Sequence, residues 1–243
     1  MSDILAVTDI GLVRKNNEDS YSYKKLDDNC LFAIVCDGVG GTVGGKVASQ
    51  TACEVAEQVI CSSYRDNMDI ASLYRIMELA VQNANTAVYK KSLENPKLRG
   101  MGTTLVMAMC LNNKCYITYV GDSRAYLYRN GNLSQLTKDH SYVQQLLDEN
   151  KITHEEAEHH PQKNIILKAI GVAEAVLPSY PEYEVQNGDM ILLCTDGLTD
   201  MVTSLEISTL LDRIKNGEGI DILAQKANEN GGADNITAII LSL

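Results

Sequence analysis

Basic residues are scarce in this chain, which has 21 Lys and Arg against 32 Asp and Glu and a formal net charge of -11 at pH 7. Binding to nucleic acid draws on a basic surface, so this deficit argues against a nucleic-acid partner. Long apolar runs are also missing, since the longest, such as 236–241, are far too short to span a bilayer. Residues 1–5 contain neither the basic region nor the apolar core of a signal peptide. We therefore expect a cytoplasmic protein that does not associate with a membrane.

No Cys-x-x-Cys pair occurs among the seven cysteines, and their number is odd. This usage is typical of small core residues in a reducing cytoplasm and argues against a disulfide framework. Cys36 and Cys194 lie in apolar segments with no adjacent base, which disfavours a thiol nucleophile. The four histidines lie between 140 and 160, and a zinc site is not expected from them.

Two apolar segments end in Asp-Gly. Residues 33–36 lead into Asp37-Gly38, and residues 190–195 lead into Asp196-Gly197. An apolar run predicts a buried strand, and an aspartate directly after it lies at the rim of the sheet; an ordinary turn is the alternative. Asp234 precedes a third apolar strand, 236–243. Three carboxylates at strand ends, from distant parts of the chain, are suited to hard divalent cations such as Mg²⁺ or Mn²⁺.

The elements predicted from periodicity occur in two blocks of strands, each followed by paired helices. Amphipathic patterns predict helices at about 45–62 and from 70 to 88, and strands from 103 to 136 are interpreted as one antiparallel meander. A polar, His-rich segment at about 139–169 is a candidate mobile flap. This order predicts an α+β layered domain with two packed sheets and helices outside. With 243 residues and no linker, one domain over 1–243 is expected.

Seven short motifs extend along the whole chain: Thr8-Asp9-x-Gly11-x-Val13-Arg14-x-x-Asn17-Glu18-Asp19, Asp37-Gly38-Val39-Gly40-Gly41, Gly102-Thr103-Thr104, Gly121-Asp122-Ser123-Arg124, Asp139-His140-Ser141, Thr195-Asp196-Gly197-Leu198 and Asp234-Asn235-Ile236-Thr237. In these motifs and their order the chain resembles the metal-dependent serine/threonine protein phosphatases of the type 2C (PPM) class, especially the compact bacterial members. The resemblance implies a four-layer α-β-β-α sandwich of two mainly antiparallel sheets flanked by helices. It also implies two Mn²⁺ or Mg²⁺ ions per chain at one end of the sheets.

The resemblance assigns a role to each acidic position. Asp37 would bridge both metals, the Gly38 carbonyl would bind one of them, and Asp196 and Asp234 would bind the other. Asp122, together with Asp196, would hold a third, weaker ion, although a turn-capping role for Asp122 stays open. The residues that would surround the ligands and orient their waters are Glu18, Asp19 and Asn235.

The implied reaction is hydrolysis of phosphoserine and phosphothreonine esters by a hydroxide that bridges the two metals. Arg14 would bind the phosphate in a bidentate manner and would not touch the metals, unless it is simply a surface arginine. Phosphorylated proteins are the expected substrates, a cognate Ser/Thr kinase is an expected partner, and a monomer is expected. A hydrolase of small phosphorylated metabolites or nucleotides and a non-catalytic binding protein are the alternatives.

Two positions depart from the family pattern. Many eukaryotic relatives have a histidine directly after the first Asp-Gly, proposed as the general acid, whereas Val39 stands here. Water on the third metal is then the preferred acid. Bacterial members usually have His-x-x-Gly-Glu after the glycines, whereas this chain has residues 42–46 as Thr-Val-Gly-Gly-Lys. The second departure leaves the substrate preference open.

Overall fold

The computed structural model describes residues 3–40 and 44–243, and within these ranges it contains twelve strands and seven α-helices. The strands are β1 (Asp3–Asp9), β2 (Ser20–Lys25), β3 (Leu31–Cys36), β4 (Gly38–Val39), β5 (Gly102–Thr103), β6 (Leu105–Leu111), β7 (Lys114–Val120), β8 (Arg124–Arg129), β9 (Asn132–Gln135), β10 (Glu182–Glu184), β11 (Met190–Cys194) and β12 (Ile236–Ser242). The helices are α1 (Gly44–Ser63), α2 (Ile70–Glu94), α3 (Tyr142–Asp148), α4 (His154–Glu158), α5 (Asp196–Thr199), α6 (Ser204–Lys215) and α7 (Asp221–Glu229). None of these helices is both long enough and apolar enough to cross a membrane.

Two five-stranded antiparallel sheets form the centre of the fold. Their strand orders are β1-β12-β11-β8-β9 and β10-β7-β6-β3-β2, and β4 and β5 form a small third pair. Helices α1 and α2 cover the outer face of the second sheet, and α6 and α7 cover the outer face of the first. The expected α-β-β-α sandwich is therefore confirmed.

The central strands are apolar throughout because both of their faces are buried. In β3, Leu31, Ala33 and Val35 point into the layer between the sheets, whereas Phe32 and Ile34 pack under the helices. The same alternation occurs in β6, β7, β11 and β12. Successive side chains of a strand point to opposite faces, so a strand covered on both faces has a continuous apolar run.

The predicted single meander from 103 to 136 is wrong. The hairpin β6-β7 belongs to one sheet and the hairpin β8-β9 to the other, and the link between β7 and β8 crosses from layer to layer. This link begins at Gly121, whose φ is +105°, and a Cβ on that residue would lie 2.7 Å from the Thr104 side chain. Local periodicity contains no information on whether successive hairpins stay in one layer, which explains the error.

The sheet topology brings the ends of several strands to one edge of the sandwich. β3 and β11 end there, and β12 begins there because it runs antiparallel to β11. The crossing link between β7 and β8 lies at the same edge, since Leu105 at the start of β6 pairs with Val120. The positions directly after or before these strand ends therefore come from four distant parts of the chain and meet at one place.

Candidate metal centre

Asp37 follows β3 at this edge and is held through its backbone. Its N–H donates to Thr104 Oγ1 at 2.9 Å, and its carbonyl accepts from Thr104 N at 2.8 Å and from Thr103 Oγ1 at 2.7 Å. The two threonines thus satisfy the main chain of Asp37.

The glycine after each strand-end aspartate is required for packing. A Cβ on Gly38 would overlap the carbonyl of Gly45 in the first turn of α1, and a Cβ on Gly197 would overlap the carbonyl of Asn235. Gly45 is equally crowded, because a Cβ there would overlap Oε2 of Glu18 and approach the Gly38 carbonyl. The backbone at the site is therefore packed too closely for any side chain at these positions.

The hydroxyl of Thr195, the residue before Asp196, joins Asp19 to the start of β12. Thr195 Oγ1 donates to Asp19 Oδ2 at 3.0 Å and accepts from the N–H of Thr237 at 3.0 Å. Asp19 is 3% exposed, and Asp196 opens the short helix α5. This arrangement holds the Asp19 carboxylate against the ends of β11 and β12, next to the start of α5.

Asn235 organises the loop that carries Arg14 and Glu18. Its Oδ1 accepts from Glu18 N at 2.8 Å, and its Nδ2 donates to the carbonyls of Ile10 at 2.8 Å and Asn16 at 3.0 Å. This side chain therefore fixes the 10–18 loop beside β12.

Arg14 contacts a predicted metal ligand. Its Nη2 lies 2.5 Å from Asp234 Oδ2, while Asp234 Oδ1 accepts from the N–H of Asn235 at 2.8 Å. The Arg14 side chain is 53% exposed, so it lies at the rim of the cluster. The sequence analysis did not predict this ion pair.

Asp122 lies in the crossing link between the two sheets. The next residue, Ser123, shares a hydrogen bond of 2.7 Å with Thr104 Oγ1, the same atom that accepts from Asp37. Asp122 is 9% exposed. Thr104 therefore connects the loop of the predicted bridging ligand with the loop of the predicted third-ion ligand.

The carboxylates share one buried environment. Burial raises the pKa of Asp37 well above its usual range, and the neighbouring carboxylates, first Asp19 and then Asp196, raise it further. Burial raises the pKa of Asp19 and of Asp122 to about 7 and that of Asp196 to about 6, with neighbouring aspartates adding to each shift. Such a cluster of like charges is stabilised by protons or by cations.

Buried oxygen atoms without partners show that these residues fit metal ions. Oδ1 of Asp19, Oδ1 of Asp122 and Oδ1 of Asp196 have no hydrogen-bond partner among the described residues. Within the same residues, no group of three or more Asp, Glu, His or Cys side chains is arranged to hold a metal ion by itself. Carboxylate oxygens without partners are the ligand type that suits Mg²⁺ or Mn²⁺, which retain several waters in proteins.

The polar supports of the site were missed by the sequence analysis. Thr104, Thr195 and His140 occur in the recognised motifs, and only the position in the motif could have indicated them. Lys46, at the family's usual glutamate position, donates from Nζ to the carbonyl of Asp19 at 2.9 Å. Val39 pairs with Gly102.

Some of the positions considered from the sequence stand apart from the cluster or outside the described structure. His159 is the C-cap of α4, and His160 donates its backbone N–H to the carbonyl of Ala157, so neither joins the aspartates through these contacts. Residues 41–43 of the altered glycine segment lie outside the described residues.

Comparison with known proteins gives one consistent family. A family model described as protein phosphatase 2C matches residues 13–226. The serine/threonine phosphatase stp of Listeria monocytogenes is 38% identical over 238 residues, which are 96% of this chain and 93% of the relative. The crystal structure of the Mycobacterium tuberculosis serine/threonine phosphatase PstP/Ppp has a TM-score of 0.89 at 36% identity and covers 100% of this chain and 98% of its own. The structure of the PstP catalytic domain in complex with 2 manganese ions has a TM-score of 0.85 at 35% identity. It covers 99% of this chain and 97% of its own.

Proposed function

The chain belongs to the protein phosphatase 2C family, and we propose that it hydrolyses phosphoserine and phosphothreonine esters of proteins at the cluster of Asp37, Asp196 and Asp234. The observation that carries this proposal is the raised pKa of Asp37 and of Asp196 together with buried oxygens without partners on Asp19, Asp122 and Asp196, all at the positions of the family motifs. A protein without cations would gain nothing from collecting these charges. The cluster therefore binds cations, and its catalytic activity depends on the bound cations.

The residues divide the binding of the ions among them. Asp37 would contact both of two Mn²⁺ or Mg²⁺ ions, the Gly38 carbonyl would contact one, and Asp196 and Asp234 would contact the other. Asp122 would bind a third, weaker ion together with Asp196. When bound, the ions supply a water-derived nucleophile at neutral pH and neutralise charge on the phosphate.

Arg14 is proposed to bind the non-attacking phosphate oxygens. It lies at the rim beside Asp234, and a guanidinium can form two parallel hydrogen bonds with a phosphate. Asp234 is its partner in the structure, so a cation on Asp234 would release Arg14 for the substrate. Glu18, Asp19 and Asn235 would hold this loop and the waters around the ions.

Phosphorylated proteins are the substrates, and a cognate Ser/Thr kinase is the proposed source of the phosphate. We further propose one catalytic domain over residues 1–243 that acts as a monomer. A reducing cytoplasm is proposed because all seven cysteines are in the described part of the chain and each is free.

The test is a comparison of substrates with and without metal. After treatment with a chelator, the protein should be inactive toward a phosphothreonine peptide, and Mn²⁺ should restore turnover, whereas Asp37→Asn should stay inactive with Mn²⁺. Phosphotyrosine peptides and free nucleotides, assayed in parallel, should be poorer substrates. Full activity of the metal-free protein would contradict the proposed mechanism, and a preference for nucleotides would replace the proposed substrate.

A further inference from the structure

His140 contacts both backbone groups of the glycine before Asp122. Its ring Nδ1 accepts from Gly121 N at 3.1 Å, and its own backbone N–H donates to the Gly121 carbonyl at 3.0 Å. Gly121 is enclosed on its other side by Thr104, which a Cβ would approach to 2.7 Å. The residue before Asp122 is thus held between His140 and Thr104.

The ring of His140 has a defined orientation. Its Nε2 lies 3.1 Å from Ser179 Oγ, and its plane stacks on Tyr119 with ring centroids 4.9 Å apart and an angle of 13°. Because Nδ1 accepts the Gly121 N–H, the proton of the neutral ring is on Nε2 and points to Ser179. Burial lowers the pKa of His140 to about 4, which keeps the ring in this neutral form at pH 7.

His140 also lies where both ends of the flap meet. The flap continues from Ser141, and on its return Leu167 donates its N–H to the His140 carbonyl at 2.7 Å. Ser141 and Ile166 form an antiparallel bridge beside this contact. One residue therefore touches the Asp122 loop through its ring and the base of the flap through its backbone.

We propose that His140 is a positioning residue for Asp122, which holds the Gly121–Ser123 loop against the flap base so that the Asp122 carboxylate faces the weaker cation site. The loop has two anchors, His140 at Gly121 and Thr104 at Ser123, and the Asp122 carboxylate between them has an unpartnered buried Oδ1 among the described residues. Loss of the ring contact would leave Gly121 held on this side only by the backbone hydrogen bond from His140, so that the orientation of the Asp122 loop is less well defined. This inference rests on the proposed metal centre.

Four substitutions, three of them at His140, separate the contacts of the ring. His140→Asn places an amide oxygen close to the position of Nδ1 and can keep the Gly121 contact. His140→Gln reaches toward Ser179 and loses that contact, although it is also an amide. His140→Phe retains a ring for stacking on Tyr119 and has no acceptor. Ser179→Ala removes only the hydroxyl beyond Nε2.

The first readout is Mn²⁺ binding measured by calorimetry in the absence of substrate. Loss of a group that orients a metal ligand typically costs about 10- to 100-fold in affinity, so His140→Phe and His140→Gln should weaken the weakest Mn²⁺ site by about tenfold and leave two tighter ions in place. His140→Asn should stay close to the wild type. Equal binding by Phe, Gln and wild-type proteins would overturn the proposal, as would equal weakening of all sites. If Phe does not fold, the Asn and Gln pair decides.

The second readout is turnover of a phosphothreonine peptide in a double-mutant cycle. In the Asp122→Ala background, His140→Phe should change kcat by less than about twofold, because two residues that act through one interaction are not additive. An additive further loss would overturn the proposal and assign His140 a general structural role. A wild-type protein without Mn²⁺-dependent activity would instead contradict the proposed function.

Discussion

Thr104 contacts two loops of the site, although its motif predicted no role for it. Its Oγ1 accepts from Asp37 N and shares a hydrogen bond with Ser123 Oγ, and its backbone N–H donates to the Asp37 carbonyl. A hydroxyl can accept and donate at the same time, and a methyl group of similar size can do neither. One atom thus sets the spacing between the Asp37 and Asp122 loops.

Thr104→Val should therefore lower both stability and turnover. It leaves the buried Asp37 N–H without its acceptor, which costs about 1–3 kcal/mol. Thr104→Ser should keep most of the activity. Thr118→Val is the matched control, because Thr118 is fully buried and its Oγ1 has no partner in the described structure. Thermal melting beside Mn²⁺-dependent turnover would check this, and similar losses for both valine variants would contradict the role of Thr104.

Arg14→Ala should weaken the binding of substrate and strengthen the binding of metal. Loss of a charge-assisted hydrogen bond of about 1.5–3 kcal/mol to phosphate should lower kcat/KM by about ten- to a hundredfold. Asp234 loses its Arg14 partner, so Mn²⁺ should bind more tightly when measured without substrate. The Arg14→Lys variant should have values of kcat/KM and Mn²⁺ affinity between those of the wild type and Arg14→Ala. Unchanged Mn²⁺ affinity would show that the ion pair does not compete with the metal.

At the scale of elements, the first turn of α1 is built against the metal-binding loops. Gly45 leaves no space for a Cβ between the Glu18 carboxylate and the Gly38 carbonyl. The helix therefore packs directly on a backbone carbonyl that is a proposed metal ligand. Glycine is a poor helix former, and its presence here indicates that close approach is more important than helix propensity.

Gly45→Ala should destabilise the protein and weaken Mn²⁺ binding. Alanine would favour the helix by about 1 kcal/mol, but the overlap with two neighbouring groups forces the Gly38 carbonyl to move. Gly219→Ala is the control, since its Cβ would lie 3.3 Å from a flexible Asp221 oxygen and its φ is not positive. Calorimetric Mn²⁺ titration and melting of both variants test this, and a stabilised Gly45→Ala with normal Mn²⁺ affinity would contradict it.

At the scale of the whole molecule, the site carboxylates make stability depend on pH and metal. Their pKa values in the metal-free folded protein are raised, to about 7 for Asp19 and Asp122 and about 6 for Asp196, above unfolded values of about 4. The folded protein then binds more protons than the unfolded chain, so the free energy of unfolding falls as the pH rises between these values. Burial lowers the pKa of His140 to about 4, which opposes this effect below about pH 6.5. Metal-free protein should therefore melt at progressively lower temperature between about pH 6.5 and pH 8, and saturating Mn²⁺ should offset the loss.

Two aspartate substitutions test the sign of this effect. Asp37→Asn removes a carboxyl group whose pKa is raised in the folded protein and should increase the melting temperature of metal-free protein at pH 7. Asp189 is the control: burial raises its pKa, but the hydrogen bonds from Arg129 at 2.9 and 2.6 Å, the hydrogen bond from Gln186 N and the charges of Arg129 and Lys215 together outweigh burial and lower it. Asp189→Asn should therefore lower the melting temperature at pH 7. Destabilisation by both substitutions would contradict the electrostatic account of the metal site.

The sequence alone determined the strands, the long helices and the acidic positions of the site. Continuous apolar runs can only be buried on both faces, and an Asp-Gly step directly after such a run places a carboxylate at a sheet rim. These are local signals, which is why Asp37 and Asp196, each after such a run, and Asp234, just before one, were predicted as candidate ligands without a structure. The order of the motifs added the family and its metal chemistry.

Only the tertiary structure decided how the layers are connected and what supports the site. Four features join groups that are far apart in the sequence and that no periodic pattern relates. They are the crossing at Gly121, the Thr104 link between two loops, the His140 contact with Gly121 and the Arg14 ion pair with Asp234. Hydrogen bonds and ion pairs of this kind depend on which strands become neighbours after both sheets pack. No local pattern contains that information, because it arises from the burial of the whole core.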